Sequence, residues 1–192
     1  MLTKSLFRLF TTKRVLVAIA NGSEEIETMA PIDILRRAGA EVTVASISPA
    51  LQVTLSRGVQ AIADKSLSEV KDQVFDAIVI PGGQPGANHM RDCPTLIAML
   101  KKQQQEDRWL AAICASPVVV LQTHGLLSGP ATCHPSVASD LRDKSQLADR
   151  VVVVGKCLTS RAPGTAVEFS LKIVEVLYGR KQAQDIAQQI LA

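Results

Sequence analysis

One cysteine stands where an apolar run typical of a strand meets a run typical of a helix. Cys114 ends the stretch 109–114 and is followed by Ala-Ser-Pro and three valines. Backbone N–H groups at such a turn, together with the helix dipole, stabilise negative charge. We therefore expect the pKa of the Cys114 thiol to be lowered and the sulfur to be a partly ionised nucleophile. The alternative is a small buried apolar residue, the commonest role of a free cysteine.

A carboxyl group is the first candidate partner for this thiol. Glu27 closes the sequence Glu-Glu-Ile-Glu, which follows the first apolar run of the chain. Acids are common at the start of a helix, and this explains Glu24 and Glu25 without any catalytic role. If Glu27 faces the strand ends, its carboxyl could share a proton with the thiol or pass one to a substrate.

Glycines and histidines supply the remaining candidates. Gly82 and Gly83 follow a buried strand, where glycine lets backbone N–H groups come close to a bound atom. With the N–H of Ala115 they could form an oxyanion pocket, although a plain turn also explains them. His134 lies in a loop and is the preferred candidate base, whereas His124 lies at a predicted helix end and is expected to act as a cap.

The sequence gives little support for a zinc site, a redox dithiol or a nucleotide-binding site. The four cysteines form no Cys-x-x-Cys pair, so neither a zinc site nor a redox dithiol is indicated, and we expect free thiols in a reducing compartment. The chain has no Gly-x-Gly-x-x-Gly or Walker pattern, so no nucleotide cofactor is implied and none of any kind is expected.

Composition indicates one α/β domain. The 192 residues are 47% apolar and only 3% aromatic, so the core must be built from Val and Ile, which favour strands, and Ala and Leu, which favour helices. The net charge is +3, and no basic stripe with interleaved aromatics predicts nucleic acid binding. No apolar run approaches the roughly 18 residues of a membrane span.

The N-terminus differs from the rest of the chain. Residues 1–13 contain basic but no acidic side chains, and Leu2, Leu6, Leu9 and Phe10 fall on one helical face. This pattern is typical of a short mitochondrial targeting segment, and a disordered tail or a surface helix are the alternatives. We expect residues 14–192 to form the single domain and the protein to be cytoplasmic, or mitochondrial through the tail.

Strands alternate with helices along that domain. Strands are predicted at 14–20, 41–47, 59–63 and 109–114, within 75–83, where the strand runs into a Gly-Gly turn, and at 151–160 as a hairpin or bent strand. Helices are predicted at 24–38, 94–105, 117–125, 163–178 and 181–191, and Pro31 is expected to offset or kink the first. Such a pattern predicts a mostly parallel sheet with helices on both faces. Ligands then bind beyond the carboxyl ends of the strands, where residues 21–23, 81–83 and 114–116 should converge.

Several motifs in fixed order resemble one known family. They are VLVAIANGSEEIET, RRAGAEVTVAS, SRGV, FDAIVIPGG, AAICASP, TCHPS and LTSRAPGTAVEF. Together they resemble the ThiJ/PfpI superfamily, and within it the Parkinson-disease protein branch of small deglycase-like members. The resemblance extends from about Lys13 to Leu191.

The resemblance implies a flavodoxin-like α/β sandwich, a homodimer and roles for named residues. Cys114 would be an oxidisable nucleophile and Glu27 a protonated carboxyl that hydrogen-bonds its sulfur. Gly83 and Ala115 would supply backbone donors, His134 the nearby histidine, and Arg57 part of the rim. The implied activity is cofactor-free conversion of glyoxal and methylglyoxal to hydroxyacids, with deglycation of early protein adducts. Redox sensing through a sulfinate, or chaperone activity, are the alternatives.

Three departures from the family pattern carry consequences. Ala115 stands where peptidase members have a histidine, so proteolysis is not expected. Ser116 replaces a glycine and is expected to narrow the pocket by its hydroxymethyl group. Ala162 replaces another glycine, and it would be strained if that position required a positive φ.

Overall fold

The computed structural model describes residues 12–192. Most of the predicted basic tail, residues 1–11, lies outside the described residues. The last tail residue is held by the domain: the Nζ of Lys13 lies 3.0 Å from the carboxylate of Asp76, and its backbone N–H donates to the hydroxyl of Tyr178 at 3.3 Å.

A seven-stranded sheet forms the centre of the fold. Its strands are β1 (Arg14–Ile19), β2 (Glu41–Ser46), β5 (Lys65–Ser66), β6 (Ala77–Ile80), β7 (Trp109–Ile113), β8 (Val151–Val154) and β9 (Cys157–Ser160). Two further strands, β3 (Gln52–Thr54) and β4 (Gln60–Ile62), form a separate sheet. The sheet order is β5-β2-β1-β6-β7-β9-β8. All neighbours are parallel except β8 and β9, which form the predicted hairpin.

Helices cover both faces of this sheet. They are α1 (Glu25–Arg37), α2 (Leu67–Val70), α3 (Gly86–Arg91), α4 (Pro94–Gln105), α5 (Ala166–Tyr178) and α6 (Arg180–Ile190). The segment Pro117–Gln122 is a short π-helix, and Pro135–Asp140 and Pro163–Thr165 are 3₁₀ turns. The prediction of a mostly parallel α/β sandwich of flavodoxin-like type is confirmed.

The strands separate two hydrophobic cores. Along β1, Val15 and Val17 face one core, which is completed by residues of α1 and α5 such as Leu35 and Phe169. Leu16 faces the other core, together with residues of α3 and α4. Because side chains alternate along a strand and both faces are buried, β1 must be apolar throughout.

Three local predictions need correction. Pro31 lies inside the continuous helix α1, so the first turn is not a separate unit; the cost of one missing N–H is offset by packing of Pro31, Ile34 and Leu35 in the interior. The strand predicted at 59–63 pairs with β3 in a separate antiparallel sheet, and β3 was not predicted. The helix predicted at 117–125 ends at Gln122, and it is a π-helix and not an α-helix.

No helix within residues 12–192 combines the length and apolar character required to cross a membrane.

Candidate active site

The carboxyl ends of β1, β6 and β7 meet at one edge of the sheet, as predicted. A Cβ atom on Gly82 would lie 2.6 Å from the Cβ of Cys114 and 2.9 Å from the Oε2 of Glu27. A Cβ on Gly83 would lie 2.5 Å from the backbone oxygen of Gly22, and Gly83 has a φ of +84°. Both glycines are therefore required sterically, because three loops approach too closely for any side chain.

Cys114 has a strained backbone at the turn between β7 and the π-helix. Its φ is 68°, which is unusual for a residue other than glycine. Its N–H donates to the oxygen of Ser160 at 3.0 Å, and its oxygen accepts from the N–H of His134 at 2.8 Å. These two bonds, on neighbouring segments, hold the residue in a conformation that it would not adopt alone.

Glu27 lies in the first turn of α1 and is fully buried. Its Oε2 accepts a hydrogen bond from the N–H of Gly82 at 2.9 Å. Its Oε1 is buried and has no well-aligned hydrogen-bond partner within residues 12–192. The Cys114 thiol is the neighbouring side chain that influences its ionisation, so this carboxyl is available to share a proton with the sulfur.

Burial controls the ionisation of this pair. Burial raises the pKa of Glu27 to about 7, against the lowering effects of the nearby Cys114 thiol and the Gly82 N–H, while repulsion from Glu24 acts in the same direction as burial. It also raises the pKa of Cys114 to about 12, and the Glu27 charge adds to this. The prediction of a lowered Cys114 pKa is therefore wrong, because burial outweighs the backbone donors. Between these two values the pair holds one shared proton.

Two backbone donors face the sulfur. The N–H groups of Gly83 and Ala115 both stabilise the ionised form of Cys114 and lower its pKa, although by less than burial raises it. They are two of the three groups for which an oxyanion pocket was predicted, and the third, the N–H of Gly82, donates to Glu27 instead. The arrangement can therefore stabilise a negative charge on the sulfur or on an oxygen bound beside it.

A cavity of about 290 Å³ opens onto Cys114. Cys114, which is 8% exposed, lies in its wall together with Gly83 and Ala115, and the exposed Arg57 and the half-buried His134 also contribute. The remaining lining residues were not predicted from the sequence; they are Glu24, Ser56, Gln84, Ser136 and Pro163. Since the volume fits a few heavy atoms and their hydration, the cavity admits small molecules to the sulfur.

The loop that carries Arg57 is anchored to α1. The Glu25 carboxylate accepts hydrogen bonds from the hydroxyl of Ser56 at 2.8 Å and from the N–H of Arg57. Glu25 therefore has a structural role besides its place at the helix start, which spacing alone did not predict.

The tautomer of His134 follows from its hydrogen bonds. His134 caps the turn Pro135–Asp140, and its Nδ1 accepts from the N–H of Ser136 at 3.1 Å. The hydroxyl of Ser136 lies 2.8 Å from the same nitrogen. Because a backbone N–H can only donate, Nδ1 of the neutral ring carries no proton and Nε2 does. His134 is therefore a hydrogen-bond donor through Nε2, and not the base that the sequence predicted.

Ser116 and Ala162, which stand where the family has glycine, do not have the expected effects on the pocket and the backbone. The hydroxyl of Ser116 is fully buried and donates to the oxygen of Pro81 at 2.5 Å, so it does not line or narrow the cavity. Ala162 has a φ of −169°, which is extended backbone that any residue adopts, and it is not strained.

Features elsewhere in the described chain do not join this site. The Nε2 of His124 bonds the oxygen of Arg91 at 2.9 Å, which is a structural contact at the end of α3. A larger cavity of about 600 Å³ lies along α5 and α6 and contains no cysteine or histidine. No group of three or more potential metal ligands occurs in residues 12–192.

This fold and site define a class of α/β proteins with a cysteine at a strained strand-to-helix turn and a buried glutamate beside it. Comparison with known proteins agrees: the model of the DJ-1/PfpI family matches residues 13–176. The chain belongs to the DJ-1/PfpI family.

Individual members of the family are similar to this chain over most of its length. The chain is 48% identical to protein DJ-1 homolog A of Arabidopsis thaliana over 94% of its own length, but it spans only about half of that relative, 46%. It is 37% identical to the glutathione-independent glyoxalase DJR-1.2 of Caenorhabditis elegans, covering 88% of this chain and 90% of the relative. The structure of oxidized Toxoplasma gondii DJ-1 superposes with a TM-score of 0.88 at 48% identity, covering 94% and 98% of the two chains.

Proposed function

We propose that the protein is a cysteine-dependent glyoxalase that needs neither glutathione nor a metal and acts on methylglyoxal and similar aldehydes. The observation that carries this proposal is the Cys114–Glu27 pair, in which each group influences the ionisation of the other and Cys114 lines a small cavity. The name of the Caenorhabditis elegans relative, a glutathione-independent glyoxalase, supports the same chemistry.

The reaction begins with addition of sulfur to the aldehyde. The Cys114 thiol passes its proton to Glu27 as the sulfur bonds to the aldehyde carbon, which forms a hemithioacetal. Glu27 gives this proton to the aldehyde oxygen, which completes the hemithioacetal and leaves Glu27 ionised. Its carboxylate then removes the proton from that carbon and delivers it to the neighbouring carbon. The hydroxyl proton moves to the neighbouring oxygen at the same stage, giving a thioester of the hydroxyacid. Water cleaves the thioester, releases lactate and restores the thiol, so that methylglyoxal and one water give one lactate.

Hydrogen-bond donors stabilise the negative oxygen that forms on addition. The N–H groups of Gly83 and Ala115 border the sulfur, and His134 has a free Nε2–H in the wall of the same cavity. Donors that are already oriented toward developing charge typically lower a barrier by several kcal/mol in total. Arg57 lies at the rim.

The test is lactate formation from methylglyoxal by the purified protein without glutathione, followed by NMR. The proposal expects stoichiometric lactate in buffer that contains a chelator. Absence of lactate with a folded protein and an intact, reduced Cys114 would contradict it.

Two substitutions of His134 separate a donor from a base. His134→Gln places an amide N–H near the position of Nε2, and His134→Asn places its polar group near Nδ1, where it can still cap the turn. We expect His134→Asn to lower kcat by about 10-fold or more and His134→Gln to retain most of it. Steady-state kinetics measure this, and equal losses in both variants would show that His134 acts as a base.

A second candidate function is redox sensing at the same cysteine. The support is the oxidized state of the similar Toxoplasma gondii structure and the two N–H groups that face the sulfur of Cys114. Peroxide would transfer one oxygen to the sulfur at each of two steps, each releasing water, and give a sulfinate.

Mild peroxide should therefore oxidise Cys114 first. Only this cysteine has a buried carboxyl beside it, within the described residues, to accept the thiol proton, whereas Cys133 is fully buried. Peptide mass spectrometry over a peroxide series measures the order of oxidation. Oxidation of Cys93, Cys133 and Cys157 at the same rate as Cys114 would contradict selective sensing.

The partners we propose are reactive aldehydes, their early adducts on protein side chains, and a second copy of the chain. An early adduct is a hemiaminal or hemithioacetal in equilibrium with the free side chain and the aldehyde, and the released aldehyde is the species that the sulfur attacks. For the homodimer, α1 exposes Ile26 and Met29, and the nearby β4 region exposes Val59 and Ile62. Exposed apolar groups of this size are favoured at subunit interfaces.

A further inference from the structure

The hydroxyl of Ser116 lies at one end of a chain of hydrogen bonds that reaches Glu27. It donates to the oxygen of Pro81 at 2.5 Å. The N–H of Gly82 belongs to that same peptide group and donates to Oε2 of Glu27 at 2.9 Å. Both bonds are buried, so water does not compete for either.

Hydrogen bonds in series through one peptide group strengthen each other. A donor on the carbonyl oxygen draws electron density from the peptide, which makes its N–H a better donor. A better donor at Gly82 favours the ionised form of the Glu27 carboxylate. The same two bonds also connect the turn that carries the nucleophile to the loop that carries the backbone donors.

We propose that Ser116 is a positioning residue that acts through the Pro81–Gly82 peptide to stabilise the ionised carboxylate of Glu27 within the Cys114–Glu27 pair. This inference rests on the proposed catalytic role of that pair. Ser116 does not touch the cavity, so it contacts no substrate. Its effect reaches the reaction only through the protonation of Glu27.

Few groups besides the Ser116 hydrogen bonds can change the pH at which Glu27 ionises. The Cys114 thiol faces it from the turn after β7, the Gly82 N–H from the loop after β6, and the Glu24 carboxylate from its own helix. Ser116→Ala changes none of these directly. A shift in the titration of the Cys114–Glu27 pair therefore reports the hydrogen bonds that run from Ser116 through the Pro81–Gly82 peptide.

The test measures the rate at which iodoacetamide alkylates Cys114 across pH 5 to 10, with the site identified by peptide mass spectrometry. Iodoacetamide reacts with the ionised sulfur, which the pair supplies when its shared proton rests on Glu27. In Ser116→Ala and Ser116→Gly we expect the midpoint of the rise to move up by about half a pH unit or more. The rate above the midpoint should increase, because the shared proton then rests on Glu27 more of the time. Alkylation requires no turnover, so the inference can hold or fail independently of the glyoxalase proposal.

Ser170→Ala is the matched control. Ser170 is also fully buried and donates to a backbone oxygen, that of Ala166 at 2.6 Å, but it lies within α5. We expect the midpoint of Cys114 alkylation in Ser170→Ala to equal that of wild type. The inference is overturned if the midpoint stays unmoved in both Ser116 variants, or if Ser170→Ala shifts it equally. A lower rate at every pH with an unchanged midpoint also overturns it, because that result indicates only looser packing.

Discussion

Cys114→Ser is expected to lower the rate of lactate formation from methylglyoxal by roughly 1000-fold or more. A hydroxyl is a much weaker acid than a thiol, and Glu27, with a pKa raised by burial to about 7, is too weak a base to remove its proton. Steady-state kinetics with NMR detection of lactate measure the loss. The strained backbone and both of its hydrogen bonds should persist in the variant, since they involve only main-chain atoms of residue 114.

Cys93→Ser is the matched control for this result. Cys93 is the N-cap residue of α4, where serine is favoured, and it lies outside the cavity. The rate of lactate formation by the Cys93→Ser variant should equal that of wild type. Unchanged turnover in Cys114→Ser would refute the covalent mechanism, and equal losses in both variants would indicate a general requirement for free thiols.

Glu27→Gln is expected to lower the rate by roughly 100-fold or more, because an amide cannot accept the thiol proton or carry it between carbons. In wild type the rate should rise as pH increases through about 7, where the pair loses its first proton. The variant should lack this rise. It should react only at higher pH, where the Cys114 thiol ionises without help.

The same substitution should stabilise the fold above neutral pH. In the folded state burial raises the Glu27 pKa from 4.5 to about 7, which corresponds to roughly 3 kcal/mol. Between these values the folded protein binds a proton that the unfolded chain has lost, so stability falls as pH rises. Glu27→Gln removes this loss. Its free energy of unfolding should match wild type below pH 4.5 and exceed it above pH 7.

Urea unfolding at several pH values measures this difference, with Glu168→Gln as control. Glu168 also lies in the first turn of a helix, but it is exposed and paired with Arg150. It should show neither the kinetic loss nor the gain in stability. A Glu27→Gln variant that is less stable than wild type at pH 8 would show that the buried carboxylate is favourable, and the ionisation scheme would be wrong.

These predictions depend on a conflict between stability and function at one buried pair. A carboxyl group without exposure costs free energy when it ionises, yet the proposed reaction needs it to hold a proton at one step and release it at the next. Strain at Cys114 and burial of Glu27 are both unfavourable locally, and packing of the two cores offsets them.

The pattern of apolar residues by itself determined the fold class, the order of most strands and helices, and the edge of the sheet at which the site lies. This works because a strand buried on both faces must be apolar along its length, and because parallel strands end at a common edge. The sequence also predicted Cys114, Glu27, Gly83 and Ala115 as neighbours. Their motifs follow three strands, and those strands are adjacent in the sheet.

Only the tertiary structure decided how these groups ionise and which atoms they present. The lowered pKa predicted for Cys114 came from the local turn, but burial by the surrounding loops dominates, and burial cannot be deduced from local sequence. The base role predicted for His134 fails because Ser136 occupies its Nδ1. The hydroxyl of Ser116 points at Pro81 and away from the cavity. Protonation and side-chain direction depend on contacts between distant segments, and these exist only once the chain is folded.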